Sequence, residues 1–342
     1  GAGGAITLDA TQSVTTTAGS VISANGNNGP GGAVNVRASN IQVQGVVSAN
    51  GTTGGVVRLV APDDHGVISI QSAQVQTNGS SGRGGTVAIS GKQQTAISES
   101  TISATGMTQG GRILIGNDAP SGTLPFSATT TLDAATRLNA NQIAASSLQG
   151  GFIETSGGTL RLLSSINAGR GGMWLIDPYD ITIDSTTATN IVTGLNTQNV
   201  TIQTTSTTTS CTVTCTNGSG SGNINVNAPI NATGTYGLTL NAYGTIFLNA
   251  DITTGGSQTY LGAVRLQRDT VLTANNNSNI SFNSYVDSAT GSAHSLTTTN
   301  GSGATVFGAG IGTRDALSSL SVAGTGDTTV YGNVIMSGSA GQ

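Results

Sequence analysis

Charge is what this 342-residue chain most conspicuously lacks. Charged residues are 8% of it, against about 25% in an ordinary globular domain. Lysine occurs once, at Lys92, and eleven basic residues face fifteen carboxylates, for a net charge of −4. That excludes a nucleic-acid surface, which needs clustered Lys and Arg. No apolar run approaches the ~18 residues of a membrane-spanning helix, and no signal-peptide pattern is visible. The chain opens at Gly1 without methionine and closes on GSAGQ, and so reads as an internal piece of a longer polypeptide. There is no GxSxG, HExxH, Walker or dinucleotide signature, and no cofactor or metal is expected. Only two cysteines occur, Cys211 and Cys215 in CTVTC. With no further ligand nearby they cannot fill zinc's four positions, and they read as a short disulfide loop in an oxidising compartment. Fully extended, their Cα atoms would lie ~13 Å apart, beyond the ~4.4–6.8 Å a disulfide spans. A bridge therefore requires a bend at 212–214; two free thiols are the alternative.

What is abundant is glycine, 51 residues of it, together with Val, Ile and Thr. That mix favours strands joined by tight turns. A glycine doublet recurs through the first half, and apolar residues come after it in one phase. Two and four positions past the second glycine stand Ile6 and Leu8, Val34 and Val36, Val57 and Leu59, Val87 and Ile89, Ile113 and Ile115. Ile153 with Thr155 is a weaker copy and Trp174 with Ile176 the last. Alternation at period two puts both residues of each pair on one strand face. A second element, VISANG at 21–26, returns as VVSANG at 46–51, VQTNG at 75–79 and ISATG at 102–106. In the second half INVNAPINATG (224–234) aligns with IFLNADITTGG (246–256) without a gap. Short strands, glycine turns and a period of about 22–28 residues predict a β-solenoid, each coil stacking on the next at ~4.8 Å. Glycine is expected where the chain turns with positive φ. A β-sandwich shares the alternation but needs no such repeat.

GGMWLIDPYDITID, at Gly171–Asp184, holds the only tryptophan and three of the carboxylates. Its doublet, Gly171 and Gly172, places Trp174 on the inward slot used by Ile6 and Val34. Trp174 therefore reads as a core plug. Asp177, Pro178, Tyr179 and Asp180 read as a structural motif, with Asp-Pro as a turn signal. Aspartates at turns bond their own backbone; a calcium loop would need the close Asp/Asn spacing and fixed glycine of an EF-hand. Asp63, Asp64 and His65 read as a turn between strands. The arginines at 37, 58, 83, 112, 137 and 161 come about once per coil, which could line up a basic stripe for anionic glycans. Their distances from the doublets differ, and they read as scattered, solvated side chains.

GGFIETSGG (150–158), INAGRGGMWLIDPYDITID (166–184) and LTLNAYGTIFLNADITTGG (238–256) resemble large exoproteins of the filamentous-haemagglutinin type. QTYLGAVRL (258–266), ISFNSYVDSATGSAHSL (280–296) and ALSSLSV (316–322) do so too. The wording is specific over 150–342; over 1–149 only the repeat style matches. The resemblance implies a right-handed parallel β-helix in an adhesin exported by two-partner secretion from a Gram-negative bacterium. It implies an outer-membrane transporter as partner of the full-length protein, a secreted or cell-surface location, and attachment to host cells, other bacteria or glycan surfaces. The Asn-Pro motifs of the family's secretion domain do not occur here.

The expected organisation is a first β-helical half, 1–184, an interruption at 185–222, and a second half, 223–342, in one continuous rod. Within the interruption Ile191, Val192 and Leu195 have the spacing of a short helix or turn, and 203–222 reads as a projecting loop. The expected role is structural and adhesive, without catalysis. The alternatives are a carbohydrate-active β-helix enzyme, such as a lyase or hydrolase, and a filament subunit that self-associates end to end. An enzyme should show carboxylates or arginines on neighbouring coils lining one groove; glycoside hydrolysis needs two carboxyls ~5–9.5 Å apart.

Overall fold

The computed structural model describes residues 1–117, 122–144, 148–205 and 221–337. Contacts divide the chain into two compact units, one closing at Pro178 and the next opening at Tyr179. Each is a parallel β-solenoid. Cys211 and Cys215, and most of the 203–222 loop, lie outside the described residues.

In the first unit seven strands stack in parallel: Ala5–Asp9, Ala33–Arg37, Val56–Ala61, Thr86–Gly91, Arg112–Ile115, Phe152–Gly157 and Gly172–Pro178. Their register pairs Ile6 with Val34, then Val57, Val87, Ile113, Ile153 and Trp174. The slot two residues on runs Leu8, Val36, Leu59, Ile89, Ile115, Thr155, Ile176. These are the two inward columns the glycine doublets mark, and from Val34 and Val36 onward every member is buried. Trp174 is 2% exposed, and its Nε1–H donates to Thr155 Oγ1 of the preceding coil at 3.0 Å. The weak copy, Thr155, thus supplies the acceptor that a buried indole N–H requires.

Positive φ is not what fixes the doublets. Among their glycines only Gly171 has it, at 73°. A Cβ on Gly31 would lie 2.0 Å from Ala49 O, one on Gly84 2.0 Å from Ala104 O, and one on Gly110 1.9 Å from Ala140 O. The doublet packs its backbone onto the carbonyl of the alanine in the SANG-type corner, and a methyl group does not fit between them. The Gly55 and Gly111 amides donate to the same Ala49 and Ala104 carbonyls, at 2.8 and 2.7 Å. The asparagine of the corner has its own task. Asn25 Oδ1 accepts from the Asn50 amide at 2.6 Å, and Asn50 Oδ1 from the Asn78 amide at 2.7 Å. Asn78 Oδ1 then accepts from the Thr105 amide at 2.9 Å. Positive φ appears instead where the opposite sheet bends, at Gly45 (79°), Ser72 (49°) and Glu99 (50°).

The second unit carries three parallel sheets. The predicted shift of 22 is observed: Ile224 pairs with Ile246 and Ile230 with Ile252. Its core is partly aromatic. Tyr260, Phe282 and Phe307 occupy one slot on successive coils, with ring centroids 4.8 and 5.0 Å apart and planes within 13° and 4°. The stretch 185–203 is built into this unit rather than interrupting the coils. Ser185–Leu195 is a helix burying Ala188, Ile191 and Leu195, and Gln198–Gln203 is a strand paired with Leu238–Asn241.

Candidate functional site

Residues one, three and five past each doublet point away from the bore. On the first unit's doublet sheet they make three outward columns. The middle column runs Thr7, Asn35, Arg58, Ala88, Leu114, Glu154, Leu175. The column beyond it includes Asp9, Arg37, Val60 and Ser90, and later Ser156 and Asp177. Arg112, Arg58 and Arg37 stand one, three and five past their doublets and so share this face. Their unequal distances do not scatter them, because a period of two makes every odd position equivalent.

Part of the face is covered. The coil between Ile113 and Ile153 is about 40 residues long, and some of the surplus folds back over the sheet. Ser90 Oγ donates to Pro125 O at 2.5 Å, and Ser127 Oγ to Gly91 O at 2.5 Å. Arg58 Nη2 donates to Thr123 O at 2.6 Å. Under this cover Val60, Ala88, Leu114 and Leu124 form a small apolar cluster, with Phe152 packed against it. The Arg112 guanidinium lies 5.3 Å from the Phe152 ring centroid.

Two carboxylates are buried on the same face. Glu154 is 0% and Asp177 1% exposed. Ser156, which pairs with Asp177, donates through Oγ to Glu154 Oε1 at 2.9 Å. Asn117 Nδ2 reaches Asp177 Oδ2 at 3.4 Å, while Asp177 Oδ1 is buried without a hydrogen-bond partner. Burial first, and then the Glu154 charge, push the Asp177 carboxyl up to about 7, against the Asn117 hydrogen bond. Such a pair cannot touch a dissolved polymer.

The remaining members of the Gly171–Asp184 stretch do local work. A Cβ on Gly172 would lie 2.5 Å from Ala168 O. Pro178 is buried at the end of its strand, and Tyr179 is half-buried. Asp180 accepts from the Ser221 and Asn223 amides at 3.1 and 2.5 Å. Asp184 caps the helix, accepting from the Thr187 amide at 2.8 Å; that bond holds its carboxyl below the usual range. Asp63, Asp64 and His65 form an exposed turn, with Asp64 paired to Lys92 at 2.5 Å. Among the described residues no cluster of three or more His, Cys, Asp or Glu could hold a metal ion.

The open end of the outward face is a groove of about 480 Å³, floored by Thr7, Asn35, Arg37 and Arg58 and walled by Leu124 and Pro125. Asp9 lies at its edge, and a second hollow of about 240 Å³, shared by Asp9 and Arg37, reaches Asp63. Sequence reasoning missed this groove. Counting odd positions after each doublet would have put Asp9, Asn35, Arg37 and Arg58 on one face; nothing in the repeat announces the cover.

No family model, curated protein or solved structure matches this chain.

Proposed function

We propose that the chain is a non-catalytic structural and adhesive segment of a large secreted bacterial surface protein, a β-helical stalk that attaches to cells or surfaces. The observation that carries this reading is the unbroken pairing of the inward columns from Ile6 to Trp174. It spends the lone tryptophan on packing. The buried Asp177 and Glu154 are withdrawn from solvent. The resemblance of 150–342 to exoproteins of the filamentous-haemagglutinin type supports export by an outer-membrane transporter and a place on or outside a Gram-negative cell. Coils that contact only their neighbours can fold one after another as a chain emerges from a pore.

One observation favours a second reading. Arg37, Arg58 and Asp9 on adjacent coils line one groove, as a carbohydrate-active enzyme would require. Among the described residues, however, its main hollow is lined by a single carboxylate, Asp9, whereas acid-base glycoside hydrolysis uses two. Beads coated with the purified chain should adhere to cells or glycan-coated surfaces, and prolonged incubation with acidic polysaccharides should release no product. Turnover abolished by Asp9→Asn would overturn the non-catalytic reading.

A further inference from the structure

We infer that the groove between the first unit's doublet sheet and the Gly122–Pro125 cover is a binding site for a carboxylate-bearing saccharide. This assigns a ligand class to the adhesive reading, and rests on that reading only for biological use.

The positive charges in the groove are both guanidinium groups, and they sit on adjacent rungs. Register pairs Asn35 with Arg58 and Arg37 with Val60. Arg37 is exposed, and its guanidinium makes no hydrogen bond or ion pair among the described residues, although Asp9 is its register neighbour. An uncommitted guanidinium offers five donors in a planar fork that matches a carboxylate. Arg58 is the opposite case. Its Nη2 and Nη1 donate to Thr123 O and Oγ1 at 2.6 and 3.4 Å. The cover therefore holds it in place while other N–H donors stay unused, so less side-chain freedom is lost when a ligand arrives.

The rest of the lining suits sugar rather than a simple anion. Asn35, Thr7 and Asp9 supply an amide, a hydroxyl and a carboxylate for ring hydroxyls. Val60, Leu124 and Pro125 give an apolar wall for the C–H face of a ring. A few polar groups set against an apolar wall is the usual construction of a ligand site. No aromatic ring among the described residues lines the groove, which disfavours nucleic-acid bases that stack. Asp9 would repel a densely charged polyanion and tolerate one carboxylate per sugar.

The test is calorimetric titration of the purified chain with tetragalacturonate, its methyl ester and a sulfated oligosaccharide of equal length. Arg37→Ala, Arg37→Lys and Arg161→Ala are compared, since Arg161 is exposed on a strand of the other sheet. Both positions are exposed, and unchanged circular dichroism would verify folding. The expected result is binding of the uronate, weakened at least tenfold by R37A and by esterification, partly retained in R37K and unchanged in R161A. Equal affinity for the methyl ester, equal effects of R37A and R161A, or tighter binding of the sulfated sugar would each overturn the assignment. If beads adhere to cells but the chain ignores tetragalacturonate, the groove inference falls and the adhesive reading stands. If the bound uronate is cleaved, the non-catalytic reading falls and the groove stands.

Discussion

The two units solve the same stacking problem with different side chains. The first locks its coils with backbone: glycine doublets pressed on alanine carbonyls and a file of asparagines at one corner, around a bore that is aliphatic from Val34 to Ile153 and closes on Trp174. The second uses rings. Tyr260, Phe282 and Phe307 stack along its core, and Tyr260 donates its hydroxyl to the buried Gln258 at 2.7 Å. A parallel solenoid thus asks only that like meets like at the strand spacing; which likeness is used is left to the sequence. The units differ on the outside too. The first buries a carboxyl pushed up to about 7, whereas Asp184 and Asp269 of the second are held below the usual range.

The comparison is sharpened most by removing the ring at the centre of the stack. Phe282→Ala should destabilise the second unit by about 4 kcal/mol through lost burial, the cavity left behind and two lost ring contacts. Phe282→Leu should cost about half of that, both read by chemical denaturation.

A pH series tests the contrast next. Asp177 holds its proton more tightly folded than unfolded, since its usual value of 3.8 rises to about 7. Between those values the folded state binds more protons, so stability falls as pH rises. At about 1.4 kcal/mol per pH unit the loss is on the order of 4 kcal/mol by neutrality. In the second unit the Thr187 and Ser295 amides hold Asp184 and Asp269 below the usual range. Those carboxyls contribute stability above about 3.8 that is lost only on strong acidification. Hydrogen exchange followed from pH 5 to 8 should show strands Phe152–Gly157 and Gly172–Pro178 losing protection while Leu238–Asn241 does not change. Asp177→Asn should abolish the difference.

Backbone locking is tested by methyl groups. Gly84→Ala forces a Cβ to 2.0 Å from Ala104 O, whereas on Gly237 the nearest atom, Ser257 O, is 3.2 Å away. Thermal melts should show Gly84→Ala costing about 3 kcal/mol and Gly237→Ala less than about 1 kcal/mol.

The smallest effect concerns the bends. Ser72 adopts a left-handed conformation disfavoured by about 1–2 kcal/mol for residues with a Cβ. Ser72→Gly should stabilise the first unit by about 0.5–1 kcal/mol, net of the bond from Ser72 Oγ to Glu99. Asn277, at φ 57°, accepts the Ser302 amide at 3.0 Å, so Asn277→Gly should lower the melting temperature of the second unit. A rise there would break the contrast.

Much of the fold is legible in the sequence because close backbone approach leaves no latitude: a doublet must be glycine, and the strand residues after it alternate. That is why Trp174 could be placed opposite Ile153 from spacing alone. The spacing of Ile191, Val192 and Leu195 left helix or turn open; the structure makes it a helix, with Ile191 and Leu195 buried. What escaped reading was everything set by a segment outside the repeat. The cover over Leu114 and Leu124 occurs once and has no periodic signal. Asp177 and Pro178 read as a turn, yet they close a strand, and the burial of Asp177 on one face with Glu154 of the preceding coil cannot be read from spacing along the chain. Of the six arginines read as scattered, Arg137 and Arg161 do lie on the other sheet and Arg83 before its doublet, but Arg37, Arg58 and Arg112 share one face, because equal distances were sought where equal parity suffices.

Because the chain has one tryptophan, its fluorescence reports on the central claim directly. If residue 174 fills the bore of a stacked scaffold, emission of the native chain is strongly blue-shifted and resists quenching by acrylamide until the protein unfolds. Emission like that of free indole in water, with ready quenching in the native state, would place the side chain in an open cleft and contradict the account.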